Sequence, residues 1–179
     1  MKFQPFPVIE SERLFLRKIV ELDSEAILFL RSDKTVNKYI DTPEEKKIKN
    51  LSDAIKWVKK VDKYIEKNEG IIWGITLKND PRVIGTIGIG NFSDNNKTAE
   101  VGCDLVPEFH RKGIMSETLL KIIDFCFKEL KLDKIEALTH TKNKSAIKLC
   151  EKTGFRLNVN KKYEDNKLYV YYELEKGSS

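Results

Sequence analysis

A basic turn with a single glycine precedes an apolar helical segment, an arrangement that suits the binding of phosphate groups. Residues 107–117 read PEFHRKGIMSE. Backbone N–H groups in the first turn of a helix have no partner inside the helix, and the helix dipole adds positive potential there. Gly113 lets the backbone approach an anion closely, while Arg111 and Lys112 add charge. The segment predicts an anion-binding loop, and the alternative is an ordinary helix start with a turn glycine. It is not a Walker loop, because the sequence lacks the second glycine and the GK[ST] ending.

Two acidic side chains upstream of this loop could take a proton from a substrate. Glu100 and Asp104 lie in the apolar segment Thr98–Val106, which is predicted to be a strand. Because they are four residues apart, they share one face of that strand unless a bulge intervenes. A carboxylate held near an amine can act as a general base. The alternative for Glu100 is a salt bridge at the strand end.

The cysteines and histidines do not form a metal-binding pattern. Cys103, Cys126 and Cys150 show no CxxC spacing, and an odd number cannot all pair. With only His110 and His140 besides, we predict reduced thiols, a cytoplasmic location and no metal site.

Composition predicts one globular domain over residues 1–179. The chain is 40% hydrophobic and 34% charged, with a net charge of +5 and a pI near 8.9. No apolar run reaches the ~20 residues of a membrane helix, and no secretion signal is recognised at the start.

The positive charge favours an anionic ligand. No basic stripe interleaved with aromatics is present, so we expect neither membrane association nor direct nucleic-acid binding. The oligomeric state stays open, with a homo-oligomer as one option.

Apolar periodicity and turn signals predict the elements that position these residues. After an extended arm at Pro5–Pro7, the predicted strands are 14–17, 71–77, 83–89, 98–106, 134–139, 156–163 and 168–174. The predicted helices are 24–30, 51–67, 115–130 and 144–153, the last ending at a left-handed Gly154. The predicted turns are Asn79-Asp80-Pro81, Asp94-Asn95-Asn96 and Glu164-Asp165-Asn166. Hairpins make the middle strands antiparallel, and the segment from Val106 to Lys134 can be a parallel crossover. The predicted fold is α/β, a mixed sheet with helices on its faces, and Trp57, Tyr64 and Trp73 are interpreted as core or pocket walls.

Three segments resemble the GNAT superfamily of N-acetyltransferases, specifically its RimJ/RimL-type branch. His110-Arg111-Lys112-Gly113-Ile114-Met115 is similar to the acyl-CoA loop Q/R-x-x-G-x-G/A, although only the central glycine matches. The branch pattern P-E-Y/F-x-x-K-G-I/Y-x-S/T-E fits residues 107–117. Residues 143–155 resemble N-x-x-S/A-x-x-L-x-E-K-x-G-F, and residues 99–102 read AEVG, like the family's A-E-I-G. The order and spacing of these segments agree with the family.

The resemblance implies a mostly antiparallel mixed sheet flanked by helices, with a splayed parallel strand pair that holds acetyl-CoA. Backbone groups around Leu105 and Val106 would bind the pantetheine arm, and a backbone N–H near Val106 would stabilise the oxyanion. The pyrophosphate would lie on the N–H groups of the following loop residues: Arg111, Lys112, Gly113, Ile114, Met115 and Ser116. Asn143 would hold the cofactor from the far side, cap its helix, or do both.

The resemblance also implies direct attack of an amine on the thioester, with Glu100 as the general base. One departure concerns the proton donor to the departing thiolate, because Cys150 stands where many family members have a tyrosine. Cys150, Ser145 or a water could donate that proton. A covalent acetyl-Cys150 intermediate and a purely structural core cysteine are further alternatives.

The acceptor expected from the resemblance is an amine, such as the N-terminus of a ribosomal-type protein. The same branch includes enzymes that act on small amines and antibiotics, so these stay as the alternative. A different class of protein, a non-catalytic acyl-CoA-binding module, is also open at this point.

Overall fold

A computed structural model describes residues 2–164 and 166–177. The described residues form an eight-stranded sheet with the strand order β1-β2-β3-β4-β5-β6-β8-β7. The strands are β1 Ile9–Glu10, β2 Leu14–Lys18, β3 Ile71–Leu77, β4 Asp80–Gly90, β5 Thr98–Leu105, β6 Lys134–His140, β7 Arg156–Asn158 and β8 Tyr169–Glu175. Neighbouring strands are antiparallel except β5 and β6, which are parallel. This confirms the predicted mixed, mostly antiparallel sheet.

Four α-helices cover the sheet in the described part of the chain. They are α1 Ser24–Ser32, α2 Leu51–Glu66, α3 Ile114–Lys128 and α4 Lys144–Lys152. Asn50 caps α2 by accepting the backbone N–H of Asp53 at 3.0 Å. Gly154 follows α4 with a φ of 93°, which confirms the predicted left-handed ending.

The closing hairpin differs from the predicted one in length. The predicted strand 156–163 already ends at Asn158, because the side-chain oxygen of Asn158 accepts the backbone N–H groups of Asn160 and Lys161. Such an Asx turn diverts the backbone out of the sheet. Asp165 of the predicted turn 164–166 lies outside the described residues.

Side-chain alternation along β5 assigns the helices to opposite faces of the sheet. Asp104 bonds to Arg31 of α1, whereas Val101 and Leu105 belong to the same buried cluster as Leu119 of α3. Because side chains alternate along a strand, Glu100 and Asp104 share the face covered by α1 and α2. We call this the α1/α2 face and the opposite one the α3/α4 face.

The parallel pair β5 and β6 separates partway along its length. Its pairing covers Thr98 with Lys134, Ala99 with Ile135 and Glu100 with Glu136, and ends there. Both strands run on for several residues, so a gap opens between their carboxyl-terminal halves. We call this opening the β5–β6 gap. It confirms the splayed pair that was predicted, and α3 begins directly above it.

Candidate active site

Backbone groups of β5 line one side of the β5–β6 gap. The N–H of Val106 donates to the oxygen of Ile84 on β4 at 2.8 Å, and the Val106 oxygen accepts the N–H of Phe109 at 2.9 Å. Backbone groups of successive strand residues point to opposite edges, so those of Leu105 and Cys103 point into the gap. The Val106 N–H is already bonded within the protein, so among the N–H groups near Val106 that were predicted to include the oxyanion donor, the one of Leu105 is the candidate. The Leu105 oxygen lies 2.8 Å from Nε2 of His110, while the Leu105 N–H faces the gap.

The loop between β5 and α3 presents a row of unbonded N–H groups. Arg111 and Gly113 have φ angles of 60° and 77°, which turn the backbone sharply before Ile114 begins α3. Within the described residues, no acceptor is found for the N–H groups of residues 111–116. These are the groups that were predicted to bind a pyrophosphate. Consecutive N–H groups in left-handed and right-handed conformations form a concave anion-binding surface, and the start of α3 adds its dipole.

A clamp from the turn between β1 and β2 holds this loop in place. Glu117 in the first turn of α3 accepts the Ser11 hydroxyl at 2.6 Å and the Arg13 guanidinium at 2.7 Å. Arg13 also donates to the Lys112 oxygen at 3.1 Å. Partial burial opposes ionisation of Glu117, but hydrogen bonds from Ser11 and Arg13 lower its pKa below the usual value. The loop conformation therefore depends on residues about a hundred positions earlier in the chain.

Asn143 lies at the far side of the β5–β6 gap and caps α4. Its side-chain oxygen accepts the N–H of Ala146 at 3.1 Å. The capping role left open by the sequence is therefore present, and a cofactor contact stays a prediction. Ser145, on the first turn of α4, is exposed.

Glu100 occupies the last paired position before the gap and faces the α1/α2 side. Its carboxylate accepts the Asn91 side-chain N–H at 3.0 Å, and no ion pair within the described residues includes it. Glu100 also influences two nearby phenols. Burial raises the pKa of Tyr64, with further contributions from Glu69 and Glu100. Burial likewise raises the pKa of Tyr171, followed by the charge of Glu100.

The other carboxylates near Glu100 are neutralised by basic side chains. Asp104 pairs with Arg31 and accepts the Thr86 hydroxyl at 3.0 Å. Glu136, which is directly opposite Glu100 on β6, is buried and pairs with Lys161. Glu100 and Asp104 share a face as predicted, but they do not form an acidic pair, because Arg31 compensates Asp104.

The two cysteines near the gap differ in exposure. Cys150 on α4 is buried, and its burial followed by the charge of Glu151 raises its pKa to about 11. Cys103 is exposed to solvent at the gap. Partial desolvation of its thiol by neighbouring groups, followed by the charge of Asp104, nevertheless raises its pKa as well. Both thiols therefore hold their protons at neutral pH and are poor nucleophiles.

Neither a metal site nor a membrane helix was found in the described ranges. No group of three or more His, Cys, Asp or Glu side chains there could hold a metal ion. None of the described helices is long and apolar enough to cross a bilayer.

The splayed parallel strands and the open N–H row define an acyl-CoA-binding α/β protein. Comparison with known proteins agrees, since the family described as "Acetyltransferase (GNAT) domain" matches residues 13–156. The chain therefore belongs to the GNAT acetyltransferase family. It is an N-acetyltransferase that uses acetyl-CoA as its co-substrate.

Individual relatives show similarity over most of the chain. An N-acetyltransferase of Bacillus subtilis, YoaA, is 32% identical over 84% of each chain. A GNAT-family acetyltransferase from Bacillus anthracis has a TM-score of 0.76 at 25% identity, covering 94% of this chain and 98% of its own. The ribosomal L7/L12 α-N-protein acetyltransferase RimL, solved with coenzyme A, has a TM-score of 0.81 at 18% identity, covering 97% and 100%. At that identity, RimL shows the shared fold alone.

Sequence reasoning missed several residues that shape this site. Arg13 and Ser11 precede the first long strand, and no local pattern connects them with a loop near residue 112. Glu117 was the available indication in the sequence. An acidic side chain beside a predicted anion site needs a cationic partner of its own. Trp57 and Tyr64 were predicted to be core or pocket walls, and both line a groove of about 210 Å³ beside α2.

Proposed function

We propose that the protein acetylates the α-amino group of a peptide or protein by direct attack of the amine on acetyl-CoA. The observation that carries the proposal is the isolation of Glu100. It lies at the edge of the β5–β6 gap beside the neutral amide of Asn91, while the neighbouring Asp104 and Glu136 are compensated by Arg31 and Lys161. One carboxylate is therefore free to take a proton.

In this proposal acetyl-CoA lies in the β5–β6 gap. Its pyrophosphate is held by the N–H groups of residues 111–116, and its pantetheine arm runs along the backbone of Cys103 and Leu105. Asn143 contacts it from the other side. The loop N–H groups support this position because they are unbonded and lie at the helix start, where an anion is stabilised.

Glu100 then accepts the amine proton, either directly or through one water. The neutral amine attacks the thioester carbonyl carbon, and the developing oxyanion receives a hydrogen bond from the N–H of Cys103 or Leu105. The nitrogen of the tetrahedral intermediate loses its extra proton to solvent, and the intermediate collapses by breaking the bond between carbon and sulfur. The products are the N-acetylated acceptor and coenzyme A.

The proton for the departing thiolate comes from water in this proposal. Cys150 holds its proton with a pKa of about 11, which makes its thiol a weak acid and its thiolate scarce. The same property argues against a covalent acetyl-Cys150 intermediate. Ser145 is exposed on α4, and no described hydrogen bond directs its hydroxyl toward the gap.

An α-amine suits a site with one unassisted carboxylate. A free α-amino group has a pKa of ~8, so roughly a tenth is already neutral at pH 7, whereas a lysine-like amine at ~10.4 is neutral about once in a few thousand molecules. A polycation is also opposed by the net charge of +5 and by the lysines along α2. We expect the reaction to take place in the cytoplasm.

A competition assay with acetyl-CoA tests the acceptor class. N-terminal Ser and Ala peptides, polyamines and aminoglycosides are compared by release of coenzyme A. We expect at least one peptide to have the highest kcat/KM. If a polyamine or an aminoglycoside exceeds every peptide by tenfold or more, the peptide assignment is wrong, while the acetyltransferase assignment is unaffected.

A further inference from the structure

Gly102 leaves an open space in the middle of the α1/α2 face. It lies on β5 between Glu100 and Asp104, whose side chains point to the same side, and it pairs with Gly88 on β4. A β carbon placed on Gly102 would meet no atom within 4 Å, whereas one on Gly88 would lie 2.9 Å from the Ile72 side chain. Ile72 therefore covers Gly88, whereas the sheet surface above Gly102 is bare.

An apolar groove beside α2 borders this bare surface. It has a volume of about 210 Å³ and is lined by Trp57, Lys60, Val61, Tyr64 and Ile72. Ile72 is shared by the groove and the surface at Gly88, so the two spaces are adjacent. A cavity of about 150 Å³ with apolar walls already admits a benzene ring. The groove has room for an apolar side chain.

Tyr64 connects the groove with Glu100. Its hydroxyl lies over Gly90, 2.0 Å from the position that a β carbon would occupy there. Gly90 is the cross-strand partner of Glu100. A group in the groove therefore lies beside the carboxylate that would take the amine proton. Gly102 itself borders the β5–β6 gap, since the strand pairing ends at Glu100.

Basic side chains at the groove select against a cationic group. Lys60 contributes to the lining, and the guanidinium of Arg31 stacks on the Trp57 ring at 4.7 Å. No acidic side chain is among the lining residues. A cationic side chain there would meet these two basic groups, and it would compete with the acceptor amine for Glu100, the nearby carboxylate without an ion pair.

We infer that the acceptor lies across Gly102 and places an uncharged apolar side chain in the groove formed by Trp57, Val61, Tyr64 and Ile72. The acceptor class is then a peptide whose first residue has an apolar side chain, such as Met or Leu, with its α-amine at Glu100. This inference rests on the proposed function and specifies which N-termini are used.

Two neighbouring variants separate the acceptor surface from the cofactor gap. Gly102→Val fills the bare surface, and it is compatible with the fold because the residue lies in a strand, where valine is favoured, with no neighbour at its β position. We expect it to raise KM for the acceptor at least tenfold and to change KM for acetyl-CoA less than twofold. The Cys103 side chain points to the α3/α4 face. Cys103→Leu should therefore raise KM for acetyl-CoA at least tenfold and change KM for the acceptor less than twofold. Thermal unfolding of both variants verifies that they are folded.

A peptide series that differs only in its first residue tests the side-chain preference. Wild-type kcat/KM should be at least tenfold higher for Met or Leu than for Ser or Lys, and Gly102→Val should reduce this ratio to about two or less. Unchanged acceptor KM in Gly102→Val would overturn the assignment of the surface. A preference for Ser or Lys would overturn the apolar specificity. If the enzyme acetylates no peptide, the proposed function is wrong. The inferred acceptor surface is then still tested by comparing Gly102→Val with the wild type in KM for the amine that the enzyme does acetylate.

Discussion

The two sides of the β5–β6 gap are built from different kinds of groups. The side proposed for the cofactor consists mainly of backbone N–H groups in one continuous segment, residues 111–116, fixed by the Arg13 clamp. The side proposed for the acceptor consists of side chains from α1, α2, β5 and β8, with Glu100 among neutralised neighbours. Backbone groups bind one invariant ligand with little dependence on side-chain identity, whereas the acceptor side can change its substrate through single substitutions.

The largest effect should follow from introducing a negative charge into the loop. We expect Gly113→Asp to weaken acetyl-CoA binding by about 100-fold or more, because a carboxylate would lie among the N–H groups that are proposed to hold the pyrophosphate. The left-handed φ of 77° adds a strain of about 1–2 kcal/mol. Titration calorimetry on the folded variant measures the loss.

Gly177 offers a matched control for this substitution. Its φ is 86°, and a β carbon there would meet no atom within 4 Å. Gly177→Asp should therefore carry similar backbone strain and leave acetyl-CoA affinity unchanged. Wild-type affinity in Gly113→Asp would exclude the loop as the pyrophosphate site.

The next largest effect concerns the acceptor side. Glu100→Gln should lower kcat by roughly 100-fold at pH 7, because the amide cannot accept the amine proton. The loss should shrink as the pH rises through the acceptor pKa, since more amine is then already neutral. Acetyl-CoA affinity should stay unchanged, which separates the two sides. Glu108→Gln, an exposed change near the loop, serves as the control, and a Glu100→Gln profile equal to wild type across pH would leave Glu100 structural.

The cofactor side could be predicted from sequence because its parts are contiguous. A strand, a basic turn with Gly113 and an apolar helix follow one another within about thirty residues, and local backbone preferences determine their shape. The parallel crossover and the antiparallel hairpins were predictable for the same reason. The hairpin connections are short and marked by turn residues, and the crossover is marked by the helix α3.

The acceptor side could not be predicted because its contacts join distant segments. Nothing near Asp104 in the sequence indicates that Arg31 neutralises it, and nothing near Glu136 indicates Lys161. The choice among the N–H groups near Val106 could not be made from sequence for a similar reason. Which backbone groups of β5 face the gap depends on its register with β4, and periodicity does not determine that register.

A smaller effect should come from the clamp that holds the loop. Arg13→Ala removes the hydrogen bond to the Lys112 oxygen and the ion pair with Glu117. Because Arg13 is partly exposed, we expect KM for acetyl-CoA to rise only about 5- to 10-fold, with KM for the acceptor unchanged. Arg82→Ala breaks a similar exposed pair with Asp80. Since Arg82 makes no described hydrogen bond to the loop, this variant should alter neither constant. An equal effect of both variants would show that the loss is not specific to the loop.

The smallest effect is expected at Cys150, which is buried on α4. Cys150→Ser should lower kcat less than threefold, far less than Glu100→Gln, because water can protonate the departing thiolate. Burial raises the Cys150 pKa to about 11, so a mechanism that used its thiolate would gain rate as the pH rose toward 11. Direct transfer instead levels off once the acceptor amine is neutral, above a pH of ~8 for an α-amine.

Cys150→Ala is the companion variant, since a serine hydroxyl in this buried position can lower stability without affecting the chemistry. The pH dependence of kcat and mass spectrometry of the protein after exposure to acetyl-CoA distinguish the mechanisms. A loss of 100-fold or more in both variants, together with an acetyl group on Cys150, would replace direct attack with a two-step mechanism.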